Sequence, residues 1–135
     1  MTQVPHPDDF LAREFYRFYT ASAWAELAEL LHPDFCSHYV DHAEARGRDL
    51  VIESARDYKR RFPDLSFRVE VVVANPQAVA CWGEMVFTHS SEYLGVPASG
   101  RTLRATCIDF FTIRANRLAS RRHWKDKAAL RKCME

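Results

Sequence analysis

The stretch Ala78–Ile113, AVACWGEMVFTHSSEYLGVPASGRTLRATCIDFFTI, constrains the fold of this chain more than any other. Two runs of apolar, β-branched and aromatic residues flank a polar segment that holds Gly95, Pro97 and Gly100. This is the pattern of an antiparallel hairpin. Each run lasts roughly 12 residues, about twice the usual strand. Strands that long in a small chain belong to a bent sheet wrapped around something. Gly83 interrupts the first run and marks a bulge or bend. If the loop closes the hairpin symmetrically, Cys81 lies opposite Asp109 and His89 opposite Arg101.

Helical patterns come before the hairpin. Leu11, Phe15, Phe18 and Tyr19 recur at helical spacing, with Tyr16 beside the stripe and Asp8 or Asp9 as the cap. Ser22 is placed to cap a second helix bearing Trp24, Leu27, Leu30 and Leu31, which Pro33 ends. A third helix opens at Gly47-Arg48-Asp49 and carries Val51, Ile52, Ala55, Tyr58 and Phe62 on one side. Phe62 precedes a proline, which stops it. Phe67, Val69, Val71 and Val73 then alternate with Arg68, Glu70 and Val72, as in a strand with one buried face. After the hairpin, Arg114–Arg117 forms a turn in which Asn116 takes the left-handed conformation. Leu118–Lys125 is the last strand, and Asp126–Cys133 is a terminal helical turn.

Three helices followed by four long strands predict an α+β fold. Its helices pack on one face of a strongly bent antiparallel sheet of about four to five strands. Residues 1–7 read as a flexible tail and residues 8–135 as a single domain. The last hairpin has two possible registers. One sets Asp109 opposite His123 and the other sets it opposite Arg122, so Asp109 gains an imidazole or cationic neighbour either way.

A formal net charge of +1 over 135 residues gives no case for a nucleic-acid partner or a membrane surface. No run approaches the ~20 apolar residues needed to span a bilayer. The first ten residues lack the basic start and apolar core of a signal peptide. Cys36, Cys81, Cys107 and Cys133 form no C-x-x-C pair, so they read as reduced thiols of a cytoplasmic protein.

Four segments, in order, carry a resemblance. They are Pro33-Asp34-Phe35 with His38; Phe62-Pro63-Asp64-Leu65; Thr88-His89, Leu94–Ala98, Gly100-Arg101 and Asp109; and Arg117-Leu118 with Arg122-His123, Asp126 and Leu130. Together they resemble the SnoaL-like polyketide cyclase family over roughly residues 8–131. That family has the cone-shaped fold shared with nuclear transport factor two and ketosteroid isomerase. The chain departs from the family pattern at Phe87, where glycine is common, at Ser99 in place of threonine, and at Ala23 in place of an acidic residue.

The resemblance implies a blind, mostly apolar pocket between helices and sheet. Its expected lining is Phe15, Trp24, Phe35, Phe87, Phe111 and Trp124. Tyr16 or Tyr19 projects a hydroxyl into it, and Trp82 lies either in the pocket or in an interface. Family members close a ring by an intramolecular aldol reaction. A base removes a proton beside a carbonyl, an acid stabilises the enolate oxygen, and no metal or cofactor is needed. By position Asp126 is the expected acid/base carboxylate and Asp109 its rival, with His38, His89 or His123 as donor. A carboxylate in an apolar cavity has its pKa raised toward useful basicity, and histidine titrates near neutrality.

Isomerisation, epoxide opening, ring closure through an epoxide and hydroxylation occur on the same scaffold, and Asp109, Arg122 and Asp126 loosely imitate an epoxide-opening cluster. His38, Asp41 and His42 offer three metal ligands in one turn but no fourth, so no metal is expected. Each site residue also has a plain structural role open to it: an ion pair for Asp109, a helix cap for Asp126, a loop edge for His89. The competing function is a non-catalytic ligand-binding or dimerisation module. An enzyme needs at least one buried carboxylate with a partner, whereas a module can turn Asp109 and Asp126 to solvent. Val72, Trp82, Val86, Ile108 and Phe110 make the outer sheet face too apolar for water and point to a homodimer.

Overall fold

The computed structural model describes residues 7–40 and 43–135. Asp41, His42 and the expected tail before Pro7 lie outside the described residues. The elements run α1 (Pro7–Thr20), α2 (Trp24–Leu30), β1 (Leu31–Tyr39), β2 (Ala45–Arg46) and α3 (Arg48–Arg61). They continue with β3 (Ser66–Ala74), β4 (Ala78–Thr88), β5 (Thr102–Arg114), β6 (Arg117–Lys125) and α4 (Lys127–Cys133). No helix among the described residues is long and apolar enough to cross a membrane.

The class is α+β as expected, but the sheet has six strands in the order β2-β1-β6-β5-β4-β3. It is mixed rather than wholly antiparallel, because β1 runs parallel to β6. The additional strand begins where the second helix was expected to continue. Leu31 is extended rather than helical, and Leu31, Phe35 and Ser37 turn inward from β1. Ser22 does not cap α2: it has a positive φ, and Ala23 holds the N-cap position without a side-chain bond. Gly47, not Asp49, is the N-cap of α3.

The long hairpin has the expected register, with Cys81 opposite Asp109 and the His89 amide donating to the Arg101 carbonyl. The bulge expected at Gly83 lies across from it, on β3. Val69 pairs Gly83 and Val71 pairs Trp82, so Glu70 is the extra residue. A Cβ at position 83 would sit 2.5 Å from the Arg68 carbonyl oxygen, so only glycine fits. The bulge also reverses the alternation of β3. Val71 and Val73, expected inside, are 54% and 67% exposed, and Val72, expected outside, is half-buried.

A second irregularity decides the last hairpin. Ala115 and Asn116 both have positive φ and join Arg114 to its partner Arg117, as a two-residue primed turn requires. Ile113 pairs Leu118, but between Ile113 and Thr112 the register slips by one residue. Without the slip Asp109 would face Arg122; with it, Asp109 faces His123. The core fills the space between the helices and the inner sheet face, around the fully buried rings of Phe15, Phe35, Phe62, Phe87 and Phe111.

Candidate active site

The middle of the sheet carries a buried polar cluster on its inner face. Asp109 comes from the centre of β5 and is fully buried. Alternation along β6 puts Arg121, His123 and Lys125 on one face, and cross-strand pairing sets His123 opposite Asp109 and Tyr39 opposite His123. From α1, the Tyr16 hydroxyl donates to Asp109 Oδ2 at 2.6 Å. On the other oxygen, Arg121 Nε donates to Oδ1 at 2.8 Å and His123 Nδ1 lies 2.7 Å away.

Proton positions follow from these contacts. Burial alone would raise the Asp109 pKa, but Arg121 first and His123 second outweigh it and hold the carboxyl well below the usual range. Asp109 is therefore an acceptor only, so His123 Nδ1 carries the proton and donates it to Oδ1. Arg121 Nη2 lies 2.9 Å from the same Nδ1 and also can only donate, so that contact is a close approach of two donors. Burial, followed by the Arg121 charge, lowers the His123 pKa against the pull of Asp109. The imidazole is thus neutral near pH 7, with its lone pair on Nε2, on the ring edge away from Asp109. Burial, followed by Asp109, raises the Tyr16 pKa, and burial raises that of Tyr19.

His123 lines a cavity of about 70 Å³ together with Phe15, Tyr19, Tyr39, Ser54, Tyr58, Phe67, Met85, Arg121 and Lys125. Lys125 Nζ stands 5.2 Å from the Tyr58 ring centre and 5.4 Å from that of Tyr93, and the Tyr58 hydroxyl donates to Tyr93 at 2.9 Å. A second hollow of about 280 Å³ shares Tyr39, His123 and Lys125 with the first and runs on over Val40, Trp124, Lys127 and Arg131.

The cluster gathers Tyr16, Asp109 and His123 from among the expected residues and leaves the others apart. Asp126 caps α4, its carboxylate accepting from the Ala129 amide at 3.0 Å, and it lines neither hollow. His89 is fully buried at the base of the β4–β5 loop, with Nδ1 2.8 Å from Ser99 Oγ and Nε2 3.1 Å from the Val96 carbonyl. His38 points to the opposite face of the sheet, level with Arg122, and pairs with Glu44 at 2.8 Å. Arg122 is therefore on the wrong face to join Asp109 and Asp126 in an epoxide-opening cluster.

Of the expected pocket lining, Phe15 touches the cavity. Phe35, Phe87 and Phe111 are core residues, and Trp24 packs edge-on against Tyr19. Trp82 and Trp124 stand on the outer face, 48% and 40% exposed, with Trp124 at the rim of the second hollow. Sequence reasoning missed Arg121, Tyr39, Tyr58 and Lys125. The β6 alternation held the signal for two of them, since Arg121 and Lys125 flank His123 at steps of two.

A curled α+β sheet, closed on one side by helices and carrying the Asp109–His123 pair at the wall of a cavity, defines a protein of the cone-fold class. The profile of the SnoaL-like polyketide cyclases matches residues 10–133, and the chain belongs to that family. Solved structures agree in fold. A protein from Jannaschia sp. CCS1 assigned as a SnoaL-like polyketide cyclase superposes with a TM-score of 0.85 at 19% identity, over 99% of this chain and 96% of its own. IdmH from Streptomyces antibioticus, assigned as a polyketide cyclase, gives 0.81 at 24% identity, over 95% and 97%. AclR from Streptomyces galilaeus, assigned as a hydroxylase, gives 0.76 at 19% identity, over 89% of each chain. No curated protein matches the chain by sequence.

Proposed function

We propose that the protein, through residues 8–135, is a cofactor-free acid/base enzyme of the SnoaL-like type. It acts as a cyclase (lyase) or isomerase on a hydrophobic, polyketide-like carbonyl compound of secondary metabolism. One observation carries this reading. A fully buried Asp109 holds Nδ1 of His123 at 2.7 Å, and His123 itself lines a cavity. A non-catalytic module has no use for so costly an arrangement, since burying the charges demands an excellent pairing to offset desolvation.

In this reading His123 Nε2 takes the proton beside the substrate carbonyl. Asp109 stabilises the imidazolium that forms, and the Tyr16 hydroxyl and Arg121 keep Asp109 in place and ionised. Asp109 is thus a positioning group rather than the base. Burial keeps the Tyr19 phenol protonated, so it and Lys125 are the groups able to stabilise the developing enolate oxygen. The inner cavity, about 70 Å³, is smaller than the roughly 150 Å³ engineered cavity that admits benzene. It therefore takes the reacting end of the substrate, and the remainder lies in the adjoining hollow against Trp124.

The same reading places the protein in the cytoplasm, which suits its four unbridged cysteines. It also makes the protein a homodimer through the outer sheet face, where Val71, Val73, Trp82, Phe110 and Trp124 are exposed. Sedimentation of the wild type and Trp82→Lys tests the dimer: a monomeric wild type at micromolar concentration ends that part of the proposal.

The test of function is thermal stabilisation by a panel of polycyclic aromatic ketones, steroids, terpene epoxides and fatty acids, followed by turnover assays on the class that binds. A ligand at 100 times its dissociation constant adds about 2.7 kcal/mol. Stabilisation of both wild type and His123→Gln by one class, with turnover lost only in the variant, is the expected result. Binding without turnover in either protein moves the ligand-binding module ahead.

A further inference from the structure

A second group of chemistry-bearing side chains lies on the other face of the sheet, at its β1–β2 edge. Cys36 and His38 are two residues apart on β1 and so share a face. β2 pairs with β1 through Cys36–Arg46 and Ser37–Ala45, and one further step brings Glu44 level with His38. The three ligand atoms, one from each residue, lie within 4.8 Å of one another. Glu44 Oε2 is their common point, 2.8 Å from His38 Nδ1 and 3.8 Å from Cys36 Sγ. The other carboxylate oxygen, Oε1, is taken by Arg46, which fixes the direction in which Oε2 points.

We propose that Cys36, His38 and Glu44 form a zinc-type metal site that clips β2 to the edge of the sheet. Tetrahedral bonds of about 2.3 Å to sulfur and about 2.1 Å to nitrogen and oxygen set ligand atoms roughly 3.4–3.6 Å apart. The group reaches those spacings by opening the histidine–glutamate contact and drawing the thiol in by small rotations. One thiolate, one imidazole and one carboxylate select zinc over magnesium or calcium, which prefer all-oxygen shells. The thiolate and carboxylate together cancel the two charges of the ion. On binding, the Cys36 proton leaves to solvent and the imidazole proton moves from Nδ1 to Nε2, so that Nδ1 coordinates. His38 and Glu44 are each about a third exposed, which leaves a path in and a fourth position for water. The site is independent of the Asp109–His123 dyad, which occupies the inner face.

The full chain, reduced and stripped of metal, is titrated with Co²⁺ and then with Zn²⁺ while thiolate-to-cobalt charge-transfer absorption is followed. The expected result is a band that saturates at one Co²⁺ per chain, is bleached by Zn²⁺ and is untouched by excess Mg²⁺. Cys36→Ser abolishes the band, whereas Cys133→Ser retains it. His38→Ala and Glu44→Gln each weaken Co²⁺ binding by more than about tenfold. Absence of the band at excess Co²⁺ overturns the proposal, as does a band that survives Cys36→Ser. If Cys36→Ser fails to fold by far-UV circular dichroism, the partly exposed Glu44→Gln decides alone, and unchanged affinity there overturns the site.

Discussion

His89 and His123 are both buried imidazoles next to the long hairpin, yet they do opposite things. His89 closes a loop on itself. The Val96 carbonyl can only accept, so Nε2 carries the proton and Nδ1 accepts from Ser99. Its own carbonyl takes the Ser99 and Gly100 amides. Every polar atom of that residue is used within the β4–β5 connection, and nothing is left for a ligand. His123 is held at Nδ1 by Asp109 and itself lines the cavity. Burial and hydrogen bonding are common to both, so neither marks a site. The mark is an imidazole that a buried carboxylate orients at the wall of a cavity.

The sharpest way to break this comparison is to remove each imidazole in turn. His123→Gln is expected to lower kcat/KM by about 10²–10⁴, the usual range for a general base, with the folded state retained. His89→Gln should leave the chemical step intact. Equal losses in both variants would erase the distinction. Next in size, Asp109→Ala leaves the Arg121 guanidinium buried without its partner and should cost about 3–5 kcal/mol in urea unfolding. A cost near zero would show that Arg121 finds another partner and that the cluster is loosely held.

Acid gives a milder probe. The folded-state pKa of His123 lies below its unfolded value, so the unfolded chain binds more protons once the pH falls below about 6.5. Stability is therefore full above that pH and declines beneath it. Asp109, whose pKa is also depressed, adds a second loss below about pH 3.9. The rate should follow an acid limb with a midpoint below 6.5, and the upper part of the stability slope should vanish in His123→Gln. Smaller again, His89→Ala leaves the Val96 carbonyl and Ser99 without their partner and should cost about 1–3 kcal/mol. The least change is expected from Asp126→Ala. Loss of the α4 cap is worth about 1 kcal/mol, with turnover unchanged; a large fall in rate would restore Asp126 as the acid/base group.

Much of the fold was legible in the chain because its signals are local and periodic. The Ala78–Ile113 runs announce a hairpin by composition, and loop symmetry puts Cys81 against Asp109. Asn116 is left-handed as its residue type allows. The misses have physical causes. Glu70 is an inserted residue in β3, and one insertion moves every later side chain to the other face, which is why Val71 and Val73 point outward. Leu31 suits a helix as well as a strand, and the parallel pairing of β1 with β6 decided between them. Asp126 fell on a family carboxylate, but its position before Lys127–Cys133 also made it a cap, and the geometry shows the cap. Desolvation was expected to raise the carboxylate pKa. At Asp109 the opposite holds, because Arg121 stands beside it, unforeseen although it is only two residues from His123.

The sequence by itself determined the class of the fold, the long hairpin, the last strand and the presence of a carboxylate and imidazoles near the sheet centre. Periodicity, turn chemistry and residue type act over a few neighbours and are written in the chain. Which groups meet was decided only in three dimensions. A single slipped residue between Thr112 and Ile113 chooses His123 over Arg122 as the partner of Asp109, and α1 delivers Tyr16 across 93 positions of sequence. A bulge shifts register without changing composition, and a buried charge takes its pKa from neighbours the chain brings together only on folding. The dyad at the cavity wall is therefore a product of packing, built from residues that the sequence could supply but not assemble.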